Sequence, residues 1–265
     1  MKKLFTLVLS LLMMLSLAAC GSSNESVADL DYVKEKGKLL VGITDFEPMD
    51  YKDSKGNWVG FDADMAKAFA KKLGVEVEFV EIDWDNKTLD LDAKNIDCVW
   101  NGMTLTDEVK SSMATSNPYC NNAQTVVVKA KDADKYGIDA DVKTMFKDIT
   151  FAVESGSAGA AACADFGFTY KEVKDQASAL MEVESGTSDA AVIDLLMAAA
   201  MIGEGTSYAD LTDVANLNNE EYGVGFRKGS DLVDELNTFF AETYKDGTML
   251  KIAKKYGVQA SLIEQ

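Results

Sequence analysis

Short apolar runs alternate with longer amphipathic stretches along most of the chain. Residues 38–44 have the apolar density of a strand buried on both faces, and residues 75–82 alternate as a strand does. Residues 65–74 have the spacing of an amphipathic helix that ends at a glycine. The same alternation of strand and helix patterns continues through residue 100. It predicts an α/β fold with helices on the faces of a mostly parallel sheet.

A second set of strands and helices follows a polar stretch at residues 131–136. Residues 150–153 and 190–193 predict two further buried strands, each leading into a helix. Residues 124–130 and 221–227 predict the strands that cross between the two sets, and two helical segments then close the chain. The order is first lobe, second lobe and return to the first, and two such crossings permit a hinge.

The apolar run at residues 96–100 stops abruptly at Asn101-Gly102 and gives way to a threonine-rich turn. An acidic helix start follows at Asp107-Glu108. A buried strand that ends in small polar residues and leads into a helix places hydroxyl and N–H groups at the carboxyl edge of a sheet. Because open α/β sheets bind ligands at that edge, this stretch is the first candidate site.

This same stretch resembles a known family. The order Ile96-Asp, Gly102-Met-Thr-x-Thr and Ser116-x-Pro-Tyr is similar to the first lobe of the polar-amino-acid solute-binding proteins of ABC importers, extracellular family 3. The resemblance covers nearly the whole mature chain and implies the two-lobed, type II periplasmic-binding-protein fold with two hinge strands. The implied lobes are residues 35–127 with 222–265 for lobe 1, and residues 128–221 for lobe 2.

The N-terminus has the pattern of a secretory signal. Two lysines precede an apolar run at residues 4–19, which is too short for a comfortable membrane span. The ending Leu-Ala-Ala-Cys20 resembles a bacterial lipobox, which implies that residues 1–19 are a signal peptide and that Cys20 carries lipid. Residues 20–34 are then a lipidated tether that holds the protein at the outer face of the bacterial cell membrane. The alternative is an ordinary signal peptide with an incidental cysteine.

Composition narrows the function further. The chain of 265 residues has a formal net charge of −18, which excludes a nucleic-acid partner because phosphate binding requires the opposite sign. The excess of acidic residues forms either a solvated surface or an electric field that attracts cations.

The chain has no His, the commonest metal ligand and general base, and Arg227 is its one arginine. Besides Cys20, an odd set of cysteines excludes complete disulfide pairing: Cys98 (expected in the core), Cys120 and Cys163.

An amino-acid site needs donors for the carboxylate, acceptors for the ammonium group and a shaped pocket for the side chain. The resemblance assigns lobe 1 contacts to Asn101, Gly102 and Thr104, although a threonine here could equally cap the following helix. Ser157 and Ala158 lie in a glycine-rich turn whose N–H groups favour a carboxylate. The alternative for this turn is a plain connection from a strand to a helix.

Four more side chains complete the predicted site. Asp194 follows the strand at residues 190–193, where the family places an acid against the ligand's ammonium group; the alternative is a helix N-cap. Phe46 and Trp84 match positions that sandwich the ligand's side chain, and the alternative for each is a core residue. Glu47, beside Phe46, could meet a cation.

One position departs from the family. An arginine usually follows three residues after the second threonine and binds the solute carboxylate as a fork, but Val109 stands there and Arg227 does not match. Either backbone amides near Ser157 and a lysine such as Lys110 hold the carboxylate, or the solute lacks a conventional α-carboxylate. We therefore expect a specificity shifted toward cationic or amine-bearing solutes.

The sequence thus predicts the extracytoplasmic substrate-binding component of an ABC importer, which binds a polar amino acid or related solute by hinge closure. We expect a monomer without catalytic residue, metal or cofactor. Its expected partners are the solute (an amino acid or amine), the ABC permease subunits and, through the lipid anchor, the membrane. The alternative is a lyase-like enzyme on the same scaffold, with an acid such as Glu47 as general acid.

Overall fold

The computed structural model describes residues 28–136 and 141–265; the predicted signal peptide and Cys20 lie outside these ranges. Within them the chain forms helices and strands that we number in chain order. The helices are α1 (Asp29–Lys36), α2 (Phe61–Leu73), α3 (Lys87–Asp92), α4 (Asp107–Ser112), α5 (Val142–Met145), α6 (Ala158–Phe166), α7 (Gln176–Ser185), α8 (Leu195–Met201), α9 (Leu232–Lys245) and α10 (Thr248–Tyr256), with 3₁₀ turns at Trp84–Asn86 and Ala130–Lys135. The strands are β1 (Lys38–Ile43), β2 (Tyr51–Lys52), β3 (Trp58–Val59), β4 (Glu76–Glu81), β5 (Cys98–Thr104), β6 (Ala114–Thr115), β7 (Cys120–Asn122), β8 (Gln124–Lys129), β9 (Thr150–Glu154), β10 (Thr169–Val173), β11 (Ala190–Asp194), β12 (Leu211–Asn216) and β13 (Glu220–Phe226).

The strands form two main sheets, one in each lobe. The first has the order β4-β1-β5-β13-β6, with β7 also beside β13. In it β1 pairs in parallel with β4 and β5, whereas β13 returns antiparallel to β5. The second sheet has the order β10-β9-β11-β8-β12, with β9 parallel to β10 and β11. The carboxyl ends of β5, β9 and β11 therefore mark the ligand-binding edges of the two sheets.

The chain passes between the sheets twice. Ala123 separates β7 from β8, and residues 217–219 separate β12 from β13. Each of β8 and β13 belongs wholly to one sheet, so the chain crosses just before these strands and not within them. The expected lobe boundaries, after residues 127 and 221, accordingly shift to the starts of β8 and β13. Two short adjacent crossings are the arrangement that permits hinge motion.

Aromatic packing fixes the sheet in each lobe. In lobe 1, the Trp100 ring on β5 lies between Phe69 of α2 and Phe240 of α9, at centroid distances of 6.2 Å and 5.6 Å. In lobe 2, Phe151 of β9 stacks on Phe168 at 4.9 Å. Such pairs contribute about 0.5–1.5 kcal/mol each beyond the burial of their area. Because β5 and β9 are anchored in this way, the polar residues at their ends are held in fixed positions.

The predicted tether overlaps an ordered element of lobe 1. The sequence predicts residues 29–34 to be part of the tether, but they form most of α1. Val33 is fully buried in the lobe 1 core, and Asp29 forms an ion pair with Arg227 at 3.0 Å. This correction follows from long-range contacts, which a short polar-rich segment does not reveal in its own sequence.

Two details near the first candidate site also differ from expectation. The strand predicted to stop before Asn101-Gly102 continues through both residues to Thr104. β13 pairs with it on either side of them, at residues 98–99 and 103–104, with a register shift in between. The sequence also predicts a helix at residues 86–93 with Leu89 and Leu91 facing inward. In α3, Leu91 is buried, but Leu89 is 65% exposed.

The cysteines of the described residues are not paired. Cys98, Cys120 and Cys163 are all free and buried. Across the described ranges, every helix is too short or too polar to cross a membrane.

Candidate functional site

A cavity of about 640 Å³ opens between the two lobes. It lies against the ends of β5, β9 and β11 and the first turns of α4 and α6. Most of the predicted site residues line it: Phe46, Trp84, Asn101, Gly102, Thr104, Ser157, Ala158 and Asp194. The fold therefore brings residues from distant parts of the sequence to one cleft.

Glu47 is the predicted residue that the structure does not place in the cavity lining. The backbone between Phe46 and Asp50 closes a tight turn, in which Phe46 N donates to Asp50 O at 2.7 Å. This turn directs Phe46 to the cavity and Glu47 elsewhere. Burial, and then the charge of Asp45, raises the pKa of the half-buried Glu47 carboxyl.

The lobe 1 wall is rigid because its polar groups bond one another. Thr44 donates to Asn101 Oδ1 through its N–H (2.9 Å) and through its hydroxyl (2.7 Å). Asn101 Nδ2 donates to Thr44 O (3.1 Å) and Asp50 Oδ2 (2.9 Å). The Asn101 amide is therefore engaged within the protein, and its role at the cavity is to shape the wall.

Gly102 has a conformational reason to be glycine. Its φ is +55°, and a Cβ at this position would lie 2.5 Å from the Phe46 ring. Its N–H donates to Asp62 Oδ2 at 2.7 Å, so this amide is occupied as well. Gly102 thus allows the Phe46 ring to pack against the strand at the cavity wall.

The two threonines of the turn have separate roles. Thr106 Oγ1 accepts from Val109 N (3.1 Å) and caps α4, which is the alternative considered for this turn. Thr104 Oγ1 donates to Glu220 Oε2 at 2.9 Å and so ties the first candidate site to the hinge.

The lobe 2 turn contacts lobe 1 across the cleft. Gly156 has φ +65°, and a Cβ there would lie 2.5 Å from Asp85 Oδ1 of lobe 1. Lys87 Nζ donates to the carbonyls of Trp84 and Gly156, both at 3.1 Å. Ser157 caps α6 by accepting from Ala160 N at 3.1 Å. The cleft is therefore held closed on this side, and glycine at 156 permits the approach.

Asp194, at the end of β11, is buried among hydrogen-bond donors. Burial, followed by the charge of Glu220, raises its pKa to about 7. Its side chain makes no bond to the first turn of α8, so the N-cap alternative does not describe it. Four side chains donate to its carboxylate: Asn122, Gln124 and Tyr222 to Oδ1, and Gln176 to Oδ2.

Glu154, at the end of β9, is a cavity residue that the sequence prediction omitted. Its side chain is 3% exposed, and its Oε1 has no hydrogen-bond partner among the residues that the structure describes. Burial, then the charges of Asp194 and Asp175, raises the pKa of Glu154 to about 8. A buried carboxyl group without a partner is costly, and such groups concentrate at functional sites.

Other lining residues were also omitted, among them Gln176, Glu220 and Lys87. Glu154 had a usable signal, because it follows the strand at residues 150–153 as Asp194 follows the strand at 190–193. Glu220 lies at a crossing, and Gln176 at a helix start. No local motif marks these two, since only the fold brings them to the cleft.

Neither of the cationic residues considered as partners of a solute carboxylate lines the cavity. Val109 lines the cavity and belongs to an apolar cluster with Ile82 and Trp84. Arg227 does not line the cavity and donates to the carbonyl of Ile96 at 2.7 Å. Lys110 is exposed and does not line the cavity either.

Two α/β lobes that are joined by two crossings and enclose a polar cavity define a hinged solute-binding protein. The sequence matches the bacterial extracellular solute-binding proteins, family 3, over residues 39–259, and the chain belongs to this family. The predicted family and the two-lobed, type II periplasmic-binding-protein fold are confirmed.

The relatives are amino-acid-binding proteins. The arginine-binding extracellular protein ArtP of Bacillus subtilis is 32% identical over 97% of this chain and 98% of its own. An ABC uptake transporter substrate binding protein from Streptococcus pneumoniae with bound histidine has a TM-score of 0.79 and 28% identity, over 89% of this chain and 99% of its own. The ancestral amino acid-binding protein AncCDT-1, a precursor of cyclohexadienyl dehydratase, has a TM-score of 0.77 and 35% identity, over 86% of this chain and 98% of its own.

Proposed function

We propose that this protein captures a small ammonium-bearing solute, an amino acid or a related amine, and delivers it to the permease subunits of an ABC importer. It acts outside the cell as a monomer that a lipid on Cys20 anchors to the membrane. Its lobes close over the solute, and the permease recognises the closed form. It performs no chemistry on the solute.

One observation carries this proposal: the cavity is bounded by both lobes and has a buried acid, Asp194, in its wall. Oδ2 of Asp194 accepts a single hydrogen bond among the described residues and so retains a lone pair for an ammonium donor. Because water is largely excluded at such a position, a carboxylate attracts a cation more strongly than in bulk water. The names of the arginine- and histidine-binding relatives support the same class of solute.

The remaining lining residues have distinct roles in the proposal. Phe46 and Trp84 contact the apolar part of the solute. The turn at Ser157 and Ala158 brings lobe 2 to it, and Gly102 shapes the opposite wall.

Calorimetry with the standard amino acids, diamines and betaines tests the proposal. We expect at least one compound to bind with a Kd near or below about 1 µM, roughly −8 kcal/mol, and to make the protein more compact in solution scattering. Asp194→Asn keeps the side-chain shape and is expected to weaken binding by about 10-fold or more. Asp148→Asn, in an exposed loop, is the matched control. Unchanged affinity in Asp194→Asn would remove this residue from the site.

The enzyme alternative is tested separately, because one structural neighbour is a precursor of a dehydratase. We expect the bound solute to be recovered unchanged after long incubation with the protein. A new product in that incubation would support the alternative.

A further inference from the structure

Three acids at the cavity accept no hydrogen bond from a cation among the described residues. Glu154, Asp194 and Glu220 all line it, and Glu220 Oε2 accepts from Thr104 and Gln124 (both 2.9 Å), which are neutral donors. The donors to Asp194 are likewise neutral. Glu154 Oε1 has no partner at all among the described residues. Of the carboxyl groups in the wall, these three thus have neutral donors or none, and Glu154 is buried with one oxygen unpaired among the described residues.

The groups that bind a carboxylate in a conventional amino-acid site are absent or occupied. Val109 presents an apolar surface to the cavity where the family's arginine is expected. Lys87 is the one basic residue in the described lining, and its Nζ already donates to the carbonyls of Trp84 and Gly156. Two of the three N–H groups of this ammonium are thus engaged, and its charge already acts on Glu154, whose pKa it lowers. A solute carboxylate would therefore compete with Glu154 for the one cation in the described lining.

The first turn of α6 is the remaining place for an anion, but it is next to an acid. Glu154 lies just before this turn, and its carbonyl accepts from Ser157 N at 3.3 Å. A carboxylate bound at this turn would be close to the unpaired Glu154 side chain. Like charges in a site that excludes water repel strongly, so this turn is a poor carboxylate site when Glu154 is ionised. Because the pKa of Glu154 is about 8 in the absence of a solute, this repulsion acts mainly at alkaline pH or when a bound cation draws the proton off.

From these observations we infer that the solute is an organic cation without a carboxylate, of the alkylamine or guanidine type, and that Glu154 accepts a hydrogen bond from its charged group. The inference rests on the proposed solute-binding function and narrows the class of solute. Asp194 and Glu220 add negative charge on the same side, which favours a solute with more than one positive charge.

Two pairs of compounds test the inference, because each pair differs only by a carboxylate: agmatine with arginine, and cadaverine with lysine. We expect the member without the carboxylate to bind at least about 10-fold more tightly to the native protein in calorimetric titrations. Equal or tighter binding of arginine and lysine would overturn the inference and leave the proposed function intact. If neither these compounds nor any in the wider library binds, both fail.

A variant of Glu154 and a matched control test whether this residue causes the preference for a solute without a carboxylate. Glu154→Gln removes a charge with little change of shape and is expected to weaken agmatine binding by at least about 30-fold. Glu76→Gln, on the exposed start of β4, is the control and should not change it. An unaltered agmatine affinity in Glu154→Gln would show that Glu154 does not contact the solute.

Val109→Arg restores the family's arginine and is expected to reverse the order, so that arginine binds more tightly than agmatine. Continued preference for agmatine in a folded Val109→Arg protein would contradict the role of this position. Because Val109 packs in an apolar cluster, the melting temperature of the Val109→Arg protein is measured first. If the variant does not fold, the paired titrations and Glu154→Gln decide the question.

Discussion

Two groups of acids in this protein differ in whether a cationic side chain of the protein binds them. Behind the cleft, Asp97 binds Lys36 at 2.7 Å and Arg227 at 3.3 Å, and Arg227 also pairs with Asp29 at 3.0 Å. Each of these acids therefore has a cationic partner within the chain. In the cleft, Glu154 and the acids beside it have only neutral donors or none.

The difference teaches which acids belong to the scaffold. An acid that stabilises the fold needs its counter-charge at all times, and the chain supplies one. No cation of the described residues donates a hydrogen bond to the cleft acids, and Lys87 acts on Glu154 only through space. This is expected of groups whose counter-charge arrives with a ligand and leaves with it.

A third pair of buried acids shows that a missing cation is not sufficient by itself. Asp50 and Asp62 lie behind Gly102 and do not line the cavity. Burial, then the charge of Asp62, raises the pKa of Asp50 well above its usual range, and burial raises that of Asp62 to about 7. A proton retained on Asp50 therefore removes the repulsion between the two carboxylates and leaves the pair with a single negative charge. Access to the cavity therefore separates the cleft acids from Asp50 and Asp62.

Removing the cation of the paired group should have the largest effect on stability. Arg227→Met leaves Asp97 and Asp29 without their shared guanidinium, and we expect the free energy of unfolding to fall by about 3–5 kcal/mol. Urea denaturation measures it. Lys228→Met, at an exposed neighbouring position, should change it by less than about 0.5 kcal/mol.

The same variant sharpens the contrast between the two groups. We expect folded Arg227→Met to keep the native order of agmatine over arginine, because Arg227 does not line the cleft. A changed order would show that the two groups of acids are not independent.

How far the sequence predicts the fold depends on the position of a strand in its sheet. The central strands β8, β9 and β11 are apolar on both faces, and their patterns locate them within a residue or so. The strands β10 and β12 lie at the two edges of the second sheet and are half exposed. Their mixed composition gives no apolar run, so the pattern did not predict them.

The candidate site shows a different limit. Strand ends could be located from the sequence, and eight of the nine proposed ligand contacts line the cavity. The sequence does not show which polar groups are already bonded. Asn101 and the Gly102 amide are occupied by Thr44, Asp50 and Asp62, residues far away in the chain.

Protons, like a cationic solute, can neutralise the cleft acids. We expect this to change the stability of the protein less than Arg227→Met does. Glu154 and Asp194 have folded-state pKa values of about 8 and about 7, above the usual values for unfolded chains. A carboxyl group with a raised pKa contributes stability that is present below its unfolded pKa and is lost as the pH rises through its folded pKa. We therefore expect the melting temperature of the ligand-free protein to fall by at least about 4 °C from pH 5.5 to pH 8.5.

Two comparisons test whether the cleft acids cause this fall of the melting temperature with pH. Glu154→Gln should reduce it, whereas Glu76→Gln should not. Agmatine should raise the melting temperature more at pH 8.5 than at pH 5.5, because cation and proton compete for the same carboxyl groups. If the melting temperature fell equally with pH in the native protein, in Glu154→Gln and in Glu76→Gln, the titrating groups would lie elsewhere, at Asp50 and Asp62.

An exposed ion pair across the cleft should have the smallest effect. Lys174 of lobe 2 reaches Glu81 of lobe 1 at 3.5 Å, and both side chains are well exposed. Lys52 binds the same acid at 3.3 Å from within lobe 1, which makes it a matched control. Because water and salt screen exposed pairs, we expect Lys174→Gln to weaken solute binding by no more than about 2-fold at 0.15 M salt, and Lys52→Gln not to change it. A 10-fold loss in Lys174→Gln alone would mean that this surface pair, and not the buried acids, determines the energy of closure.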